Sequence, residues 1–153
     1  IEARDRSVLR RSTLADWDTA ASSVNAASVL LGDSMGEMAM YYASAHVAFV
    51  GGSLLPLGGH NLIEACGVGV PVVVGPHTFN FAQATDDAIG AGAAVRAENA
   101  AASVDAMWQI ARDADRSARM SAAALRFARQ HRGATDRALA HIVPLVEART
   151  NQR

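Results

Sequence analysis

With 153 residues, half of them apolar, and a formal net charge of −1, the chain has the size of one globular domain or a piece of one, and it has no overall basic field to attract nucleic acid. All 14 basic residues are arginine, which excludes a lysine Schiff base and a P-loop lysine. The single cysteine, Cys66, excludes an internal disulfide and is expected to be a buried structural thiol rather than a nucleophile.

In chain order, Ile1 to Arg6 reads as the tail of a helix. Ser7 to Ser12 reads as an edge strand, because Arg10 and Arg11 put charge on both faces. Leu14 to Ala27 shows no convincing period and is expected to be mostly loop. Ser28 to Leu31 is a second strand. It ends in the turn Gly32-Asp33-Ser34-Met35-Gly36-Glu37 and a helix through Ala43, with Met38, Tyr41 and Tyr42 turned inward and Asp33 or Ser34 as its cap. His46 to Val50 is a third strand, Asn61 to Val68 a short helix and Pro71 to Val74 a fourth strand. The turn His77-Thr78-Phe79-Asn80-Phe81 leads into a helix from about Asn80 to Ile89, stopped by Gly90-Ala91-Gly92. Ala93 to Arg96 makes a fifth strand.

From there the pattern is helical only. Val104, Met107, Trp108 and Ala111 form one apolar face, and Met120, Ala124, Phe127 and Ala128 a second, with arginines 119, 126 and 129 outside it. Leu139, Ile142, Val143 and Val146 form a third, in a helix that Pro144 is expected to kink. Arg112, Arg116, Arg119, Arg126, Arg129 and Arg132 read as a solvated face. No apolar run reaches the roughly 18 residues a membrane span needs, and the charged start does not read as a signal peptide.

The chemistry is expected between His46 and Pro76. Strand, glycine-rich turn, helix and strand make a βαβ crossover, the unit of parallel sheets. Ligands of such sheets bind outside the carboxyl ends of the strands. That edge carries Gly51, Gly52, Ser53, Gly58, Gly59, His60 and Asn61. Glycines let a ligand approach the backbone, and a helix beginning near Asn61 offers unpaired N–H groups and a positive dipole end to an anion such as phosphate. Glu64, three residues beyond Asn61, shares its helix face. A carboxylate repels phosphate, so Glu64 suits sugar hydroxyls. Tight βα turns that bind nothing account for the glycine spacing equally well.

Other chemistries lack their patterns. No HExxH or paired-cysteine spacing marks a metal, no GxSxG a nucleophile elbow, no GxGxxG a dinucleotide and no GxxxxGK a P-loop. His60 and His77 both fall at the proposed edge, where a phosphate donor, an acid–base group or a turn-stabilising imidazole are open readings.

The stretch from Leu30 to Gln83 carries DSMGE, FVGGS, GGHNxxE and GPHTFNF in order. It closely resembles the C-terminal, donor-binding half of bacterial 3-deoxy-D-manno-octulosonic acid (Kdo) transferases, with a weaker colinear likeness from Val8 to the last helix. Those enzymes move Kdo from CMP-Kdo to the lipid A precursor of lipopolysaccharide. Ser34 stands where the family usually has threonine, and Leu62 where it often has proline.

The resemblance implies an α/β fold, a Rossmann-like parallel sheet with helices on both faces. It would be the C-terminal half of a GT-B glycosyltransferase, ending in a helical segment. Residues 1–153 would form a single donor domain truncated at its N-terminus. By the same resemblance Ser34, Gly36 and Glu37 line the donor pocket. Gly52, Ser53, Gly58, Gly59, His60 and Asn61 face the CMP phosphate and the Kdo carboxylate, and Glu64 takes the ribose. His77, Asn80 and Phe81 shape the cleft wall.

No metal or other cofactor is expected, CMP-Kdo being the substrate. The family's membrane-proximal anchor, acceptor domain and general base would lie upstream of Ile1, so the fragment by itself is expected to be soluble and inactive. The parent would work at the cytoplasmic face of the bacterial inner membrane and meet the lipid A precursor through its N-terminal domain. Two alternatives stand: another GT-B sugar-nucleotide enzyme, such as a UDP-sugar transferase or epimerase, and a non-catalytic nucleotide-binding module.

Overall fold

A computed structural model describes residues 7–15, 29–131 and 134–150. The expected helix tail at Ile1 to Arg6 and most of the expected loop between Leu14 and Ala27 lie outside them. The chain divides into two compact units, Ile1–Ser44 and Ala45–Arg153.

In the first unit, β1 (Val8–Arg10) pairs in parallel with β2 (Val29–Leu31), with Val8 opposite Val29 and Leu9 opposite Leu30. These four side chains are half-buried, while Arg10 and Leu31 are exposed. A 3-10 turn at Arg11–Thr13 ends the first strand two residues before the expected limit at Ser12 is passed. Helix α1 (Met38–Ala43) follows β2. Tyr41 and Tyr42 are half-buried as expected, but Met38 is 50% exposed. The expected cap is also corrected. Glu37 holds the N-cap position without a side-chain cap bond, because Asp33 is drawn to Ser12 and Ser34 to the Glu37 carboxylate.

The second unit is built on a three-stranded parallel sheet in the order β3 (Ala48–Val50), β4 (Val72–Val74), β5 (Ala94–Arg96). Phe49, Val73 and Val95 stand opposite one another across the strands and so share one face. They pack with Ala102, Ala106, Met107 and Ile110 of α4 (Ala100–Arg112) and Met120 of α5 (Ala114–His131). All three valines of β4 are buried. That is the pattern of a central strand covered by helices on both faces, each valine contributing about 1.5–3 kcal/mol.

Helix α2 (Ile63–Gly67) is shorter than the expected Asn61 to Val68, and it packs against α5. Its Cys66 is wholly buried, and desolvation pushes the thiol up to about 11, as a structural cysteine requires. After β4, a 3-10 turn at Phe79–Phe81 precedes α3 (Ala82–Gly90), so the regular helix begins two residues later than expected.

The face expected for α4 is corrected in part: Met107 packs against the core as expected, but its companions do not. Val104 and Trp108 are 60% and 59% exposed, and the buried side is Ser103 and Ile110 with Ala102, Ala106 and Met107 partly covered. An alanine-rich helix carries two plausible stripes, and the one with small residues allows the closer approach to the sheet. Trp108 instead turns outward and stacks under the Arg112 guanidinium, 4.4 Å from its ring centre.

Helix α5 is as expected, with Met120, Ala124, Phe127 and Ala128 buried and Arg119, Arg126 and Arg129 exposed. Helix α6 (Ala134–Thr150) contains Pro144, and its stripe of Leu139, Ile142, Val143 and Val146 is exposed rather than core. Periodicity reports a face and not what lies against it. Among the described residues no helix is long and apolar enough to cross a membrane.

Candidate ligand site at the carboxyl edge of the sheet

In the second unit, the loops after β3 and β4 leave adjacent parallel strands and are bonded to each other. Ser53 is completely buried. Its hydroxyl donates to Val50 O at 2.6 Å and accepts from Gly75 N at 2.8 Å, while its carbonyl accepts from His77 N at 2.9 Å. Ser53 thus spends its side chain tying the two strand ends together. Asn80 adds two further ties, donating from its backbone N to Gly58 O at 3.1 Å and from Nδ2 to Leu57 O at 3.2 Å.

Gly58 sits under this second loop with φ 89°. A Cβ there would stand 2.7 Å from the Phe79 ring and closer still to the Asn80 amide. Both the left-handed backbone and the close approach demand glycine. The structure therefore brings Gly52, Ser53, Gly58, Gly59 and His60 of the first loop against His77 and Asn80 of the second, with Asn61 and Glu64 following in the chain and Phe81 closing the second loop's 3-10 turn.

Asn61 accepts from Ile63 N at 3.0 Å through Oδ1 and donates to Glu64 Oε1 at 3.2 Å through Nδ2. The shared face of Asn61 and Glu64 is observed. Asn61 closes an Asx turn before the helix, which is why α2 starts two residues later than expected. Five residues carry little macrodipole, so the N–H groups of the loop are the main lever on an anion. Among the described residues, the N–H groups of His60 and Asn61 have no acceptor. His60 and Glu64 are exposed.

Two residues of this edge, Phe79 and Arg96, carry no site role in the sequence reading. Phe79 is 62% exposed, and Leu55 and Leu57 of the first loop are exposed too; the sequence places Phe79 only in the turn before the helix. Arg96, at the end of β5, donates to Thr78 Oγ1 at 2.8 Å and Pro76 O at 3.3 Å, and pairs with Asp86 at 2.9 Å. It braces the second loop, but a lone arginine ending a strand carries no motif.

In the first unit, Gly36 is exposed with φ 83°. The Glu37 carboxylate accepts from Ser34 Oγ, from Tyr41 OH at 3.2 Å and from Arg11 at 2.8 and 3.1 Å. The Ser34 hydroxyl and then the Arg11 guanidinium hold it below its ordinary range. Asp33 is likewise lowered, chiefly by the Ser12 backbone N–H and hydroxyl. Arg11 anchors Glu37, whereas the sequence alone marks it only as an edge-strand charge. Among the described residues no group of three or more histidine, cysteine or acidic side chains is placed to hold a metal.

Residues 11–127 match the profile of the family Glycosyl transferases group 1. The chain belongs to that family. Among curated relatives, the 3-deoxy-D-manno-octulosonic acid transferase of Bordetella pertussis is 56% identical over 111 residues, 72% of this chain and 26% of the relative. The enzyme of the same name from Haemophilus influenzae is 55% identical over 53 residues, 35% of this chain and 12% of the relative. The chain thus spans about a quarter or less of the length of these two relatives.

Among solved structures, the C-terminal CMP-Kdo binding domain of WaaA from Acinetobacter baumannii matches with a TM-score of 0.68 and 32% identity, over 82% of this chain and 63% of that one. The likeness to Kdo transferases read from the motifs is borne out. So is the fold, a Rossmann-like α/β domain of the C-terminal half of a GT-B glycosyltransferase.

Proposed function

We propose that the chain is the donor-binding part of a glycosyltransferase that moves Kdo from CMP-Kdo to the lipid A precursor of lipopolysaccharide. The observation that carries this is its structural and sequence likeness to a CMP-Kdo binding domain. The local chemistry agrees. The unspent N–H groups of His60 and Asn61 suit the phosphate of CMP or the Kdo carboxylate. Glu64, exposed and oriented by Asn61, suits a ribose hydroxyl. Ser53 acts through the loops it ties rather than by direct contact. His77, Asn80 and Phe81 form the wall of the same edge. The turn at Ser34, Gly36 and Glu37 offers a positive-φ backbone and an oriented carboxylate, and its part in donor binding is tested by its own variant, Glu37→Gln.

In the parent enzyme, a general base on an N-terminal domain removes the proton of the acceptor hydroxyl. The oxygen then attacks the Kdo anomeric carbon with inversion, and the bond to CMP breaks. The charge that develops on the departing phosphate is met by backbone donors, so the reaction needs no metal. On this reading the 153-residue chain binds donor but does not transfer Kdo, and the parent acts at the cytoplasmic face of the inner membrane.

An NMR titration with CMP, UMP and UDP tests the proposal. Shifts at His60, Asn61 and Glu64, strongest for CMP and lost in Glu64→Ala, are expected. An equal response to UDP would favour a UDP-sugar transferase or epimerase. No response to any nucleotide, in this chain and in one extended upstream, would overturn donor binding.

A further inference from the structure

We infer that the second unit carries another anion site, specific for phosphate groups, in a cavity of about 450 Å³ between the end of α3 and α5. Arg116, Arg119 and Arg126 line it above an apolar floor that includes Met120 and Ala123, with Gly92 at its margin. The volume lies within the range of small-ligand pockets. Gly92 belongs to the turn that enters β5 at Ala94, so the cavity is at the amino end of that strand and away from the carboxyl edge described above.

The three arginines recur at i, i+3 and i+10, on one face of α5 over about 15 Å at 1.5 Å per residue. Among the described residues, no acidic side chain lines the cavity. Arg116 donates to the neutral Gln109 Oε1 at 3.3 Å, and the nearby Asp113 is spent on the Arg116 backbone N–H. Among the described residues, Arg119 and Arg126 form no ion pair, whereas Arg10, Arg11 and Arg96 each have a carboxylate. In a chain of net charge −1, three uncompensated guanidinium groups around one concavity are a local feature and not a general field. Arg116 and Arg119, one turn apart on the helix, repel each other, and an anion beside them relieves that repulsion. The guanidinium fork matches phosphate oxygens in pairs. A soluble phosphate ester and a phospholipid headgroup share this chemistry.

The test is an NMR titration of the 153-residue chain with inorganic pyrophosphate at low salt, beside co-sedimentation with vesicles of phosphatidylglycerol or of phosphatidylcholine alone. Pyrophosphate is expected to shift the amides of Gly92, Ala122 and Ala123. The double variant Arg119→Gln/Arg126→Gln is expected to weaken that binding at least tenfold, leaving the thermal midpoint and any shifts at His60 and Asn61 unchanged. Arg129→Gln, the same charge change outside the cavity, is the control and is expected to weaken binding less than twofold. Arginine-dependent sedimentation with phosphatidylglycerol would identify the source as a headgroup; arginine-dependent pyrophosphate binding without sedimentation would identify a soluble phosphate. The inference is overturned if neither probe binds, or if Arg129→Gln weakens binding as much as the double variant. Shifts at the carboxyl edge alone would overturn it too, while leaving the donor-site reading intact.

Discussion

Gly75 and Ser53 hold each other in place: the Gly75 N–H donates to the Ser53 hydroxyl at 2.8 Å, and a Cβ on Gly75 would lie 2.6 Å from the Ser53 carbonyl carbon. Ser53→Ala leaves the Gly75 N–H and the Val50 carbonyl buried without that partner, at a cost of about 1–3 kcal/mol. Gly75→Ala forces backbone against backbone and is expected to cost more than the serine variant. Urea denaturation of both variants measures the order; a Gly75→Ala chain as stable as the parent would contradict the packing of the two loops.

Arg96 braces the second loop through Thr78, Pro76 and Asp86. The Asp86 pair is exposed and adds little; the bond to Thr78 is more shielded. Arg96→Gln is expected to lower stability by about 1–2 kcal/mol. Hydrogen exchange should quicken at His77 to Phe81 more than at Val72 to Val74. A uniform change across the unit would argue against a local brace.

Acid is expected to loosen the first unit in a defined window. Glu37 is held below its ordinary 4.5, and Asp33 below its ordinary 3.8, by bonds that exist only when the chain is folded. The unfolded chain therefore takes up protons first. Their stabilisation is complete above the ordinary values and drains away as pH falls through the lower folded ones. Tyrosine fluorescence should show a steady first unit from neutral pH to about 5 and a loss below about 4.5. Glu37→Gln should flatten that loss, and an unchanged acid profile would remove Glu37 from the account.

Cys66 is expected to resist thiol reagents. Its thiol is raised from an ordinary 9.0 to about 11 by burial, which lowers the thiolate fraction about 100-fold at mildly alkaline pH, before access is considered. A colorimetric disulfide reagent should react slowly with the native chain and rapidly in denaturant. Fast native labelling would mean that α2 opens readily.

Legibility in the sequence followed how local each determinant is. The strands at Val29, Ala48, Val72 and Ala94 were visible because short apolar runs bounded by glycine, proline or polar turns have few alternatives. The grouping of Gly58, Asn61 and Glu64 was visible for the same reason, since their relation is set within seven residues. Phe79 over Gly58 and Arg96 on Thr78 were not, because each depends on neighbouring strands being in register. The α4 face failed differently. Val104 and Trp108 are more apolar than Ser103 and Ala106, but the sheet accepts the stripe that fits closest, and bulk turned the tryptophan outward. On α5, Arg119, Arg126 and Arg129 are exposed as the sequence suggests and Arg116 is half-buried, but exposure says nothing of the hollow that Arg116, Arg119 and Arg126 share.

On the proposed donor reading, the backbone ties between the loops after β3 and β4 bear on how a ligand is received. Ser53, Gly58 and Asn80 already close the edge on itself, so little chain entropy remains to be lost on association. A ligand meets a surface set in advance, and encounter need not wait for a loop to rearrange. Differences in affinity among nucleotides at such an edge should then lie in how long each stays bound, not in how quickly it arrives.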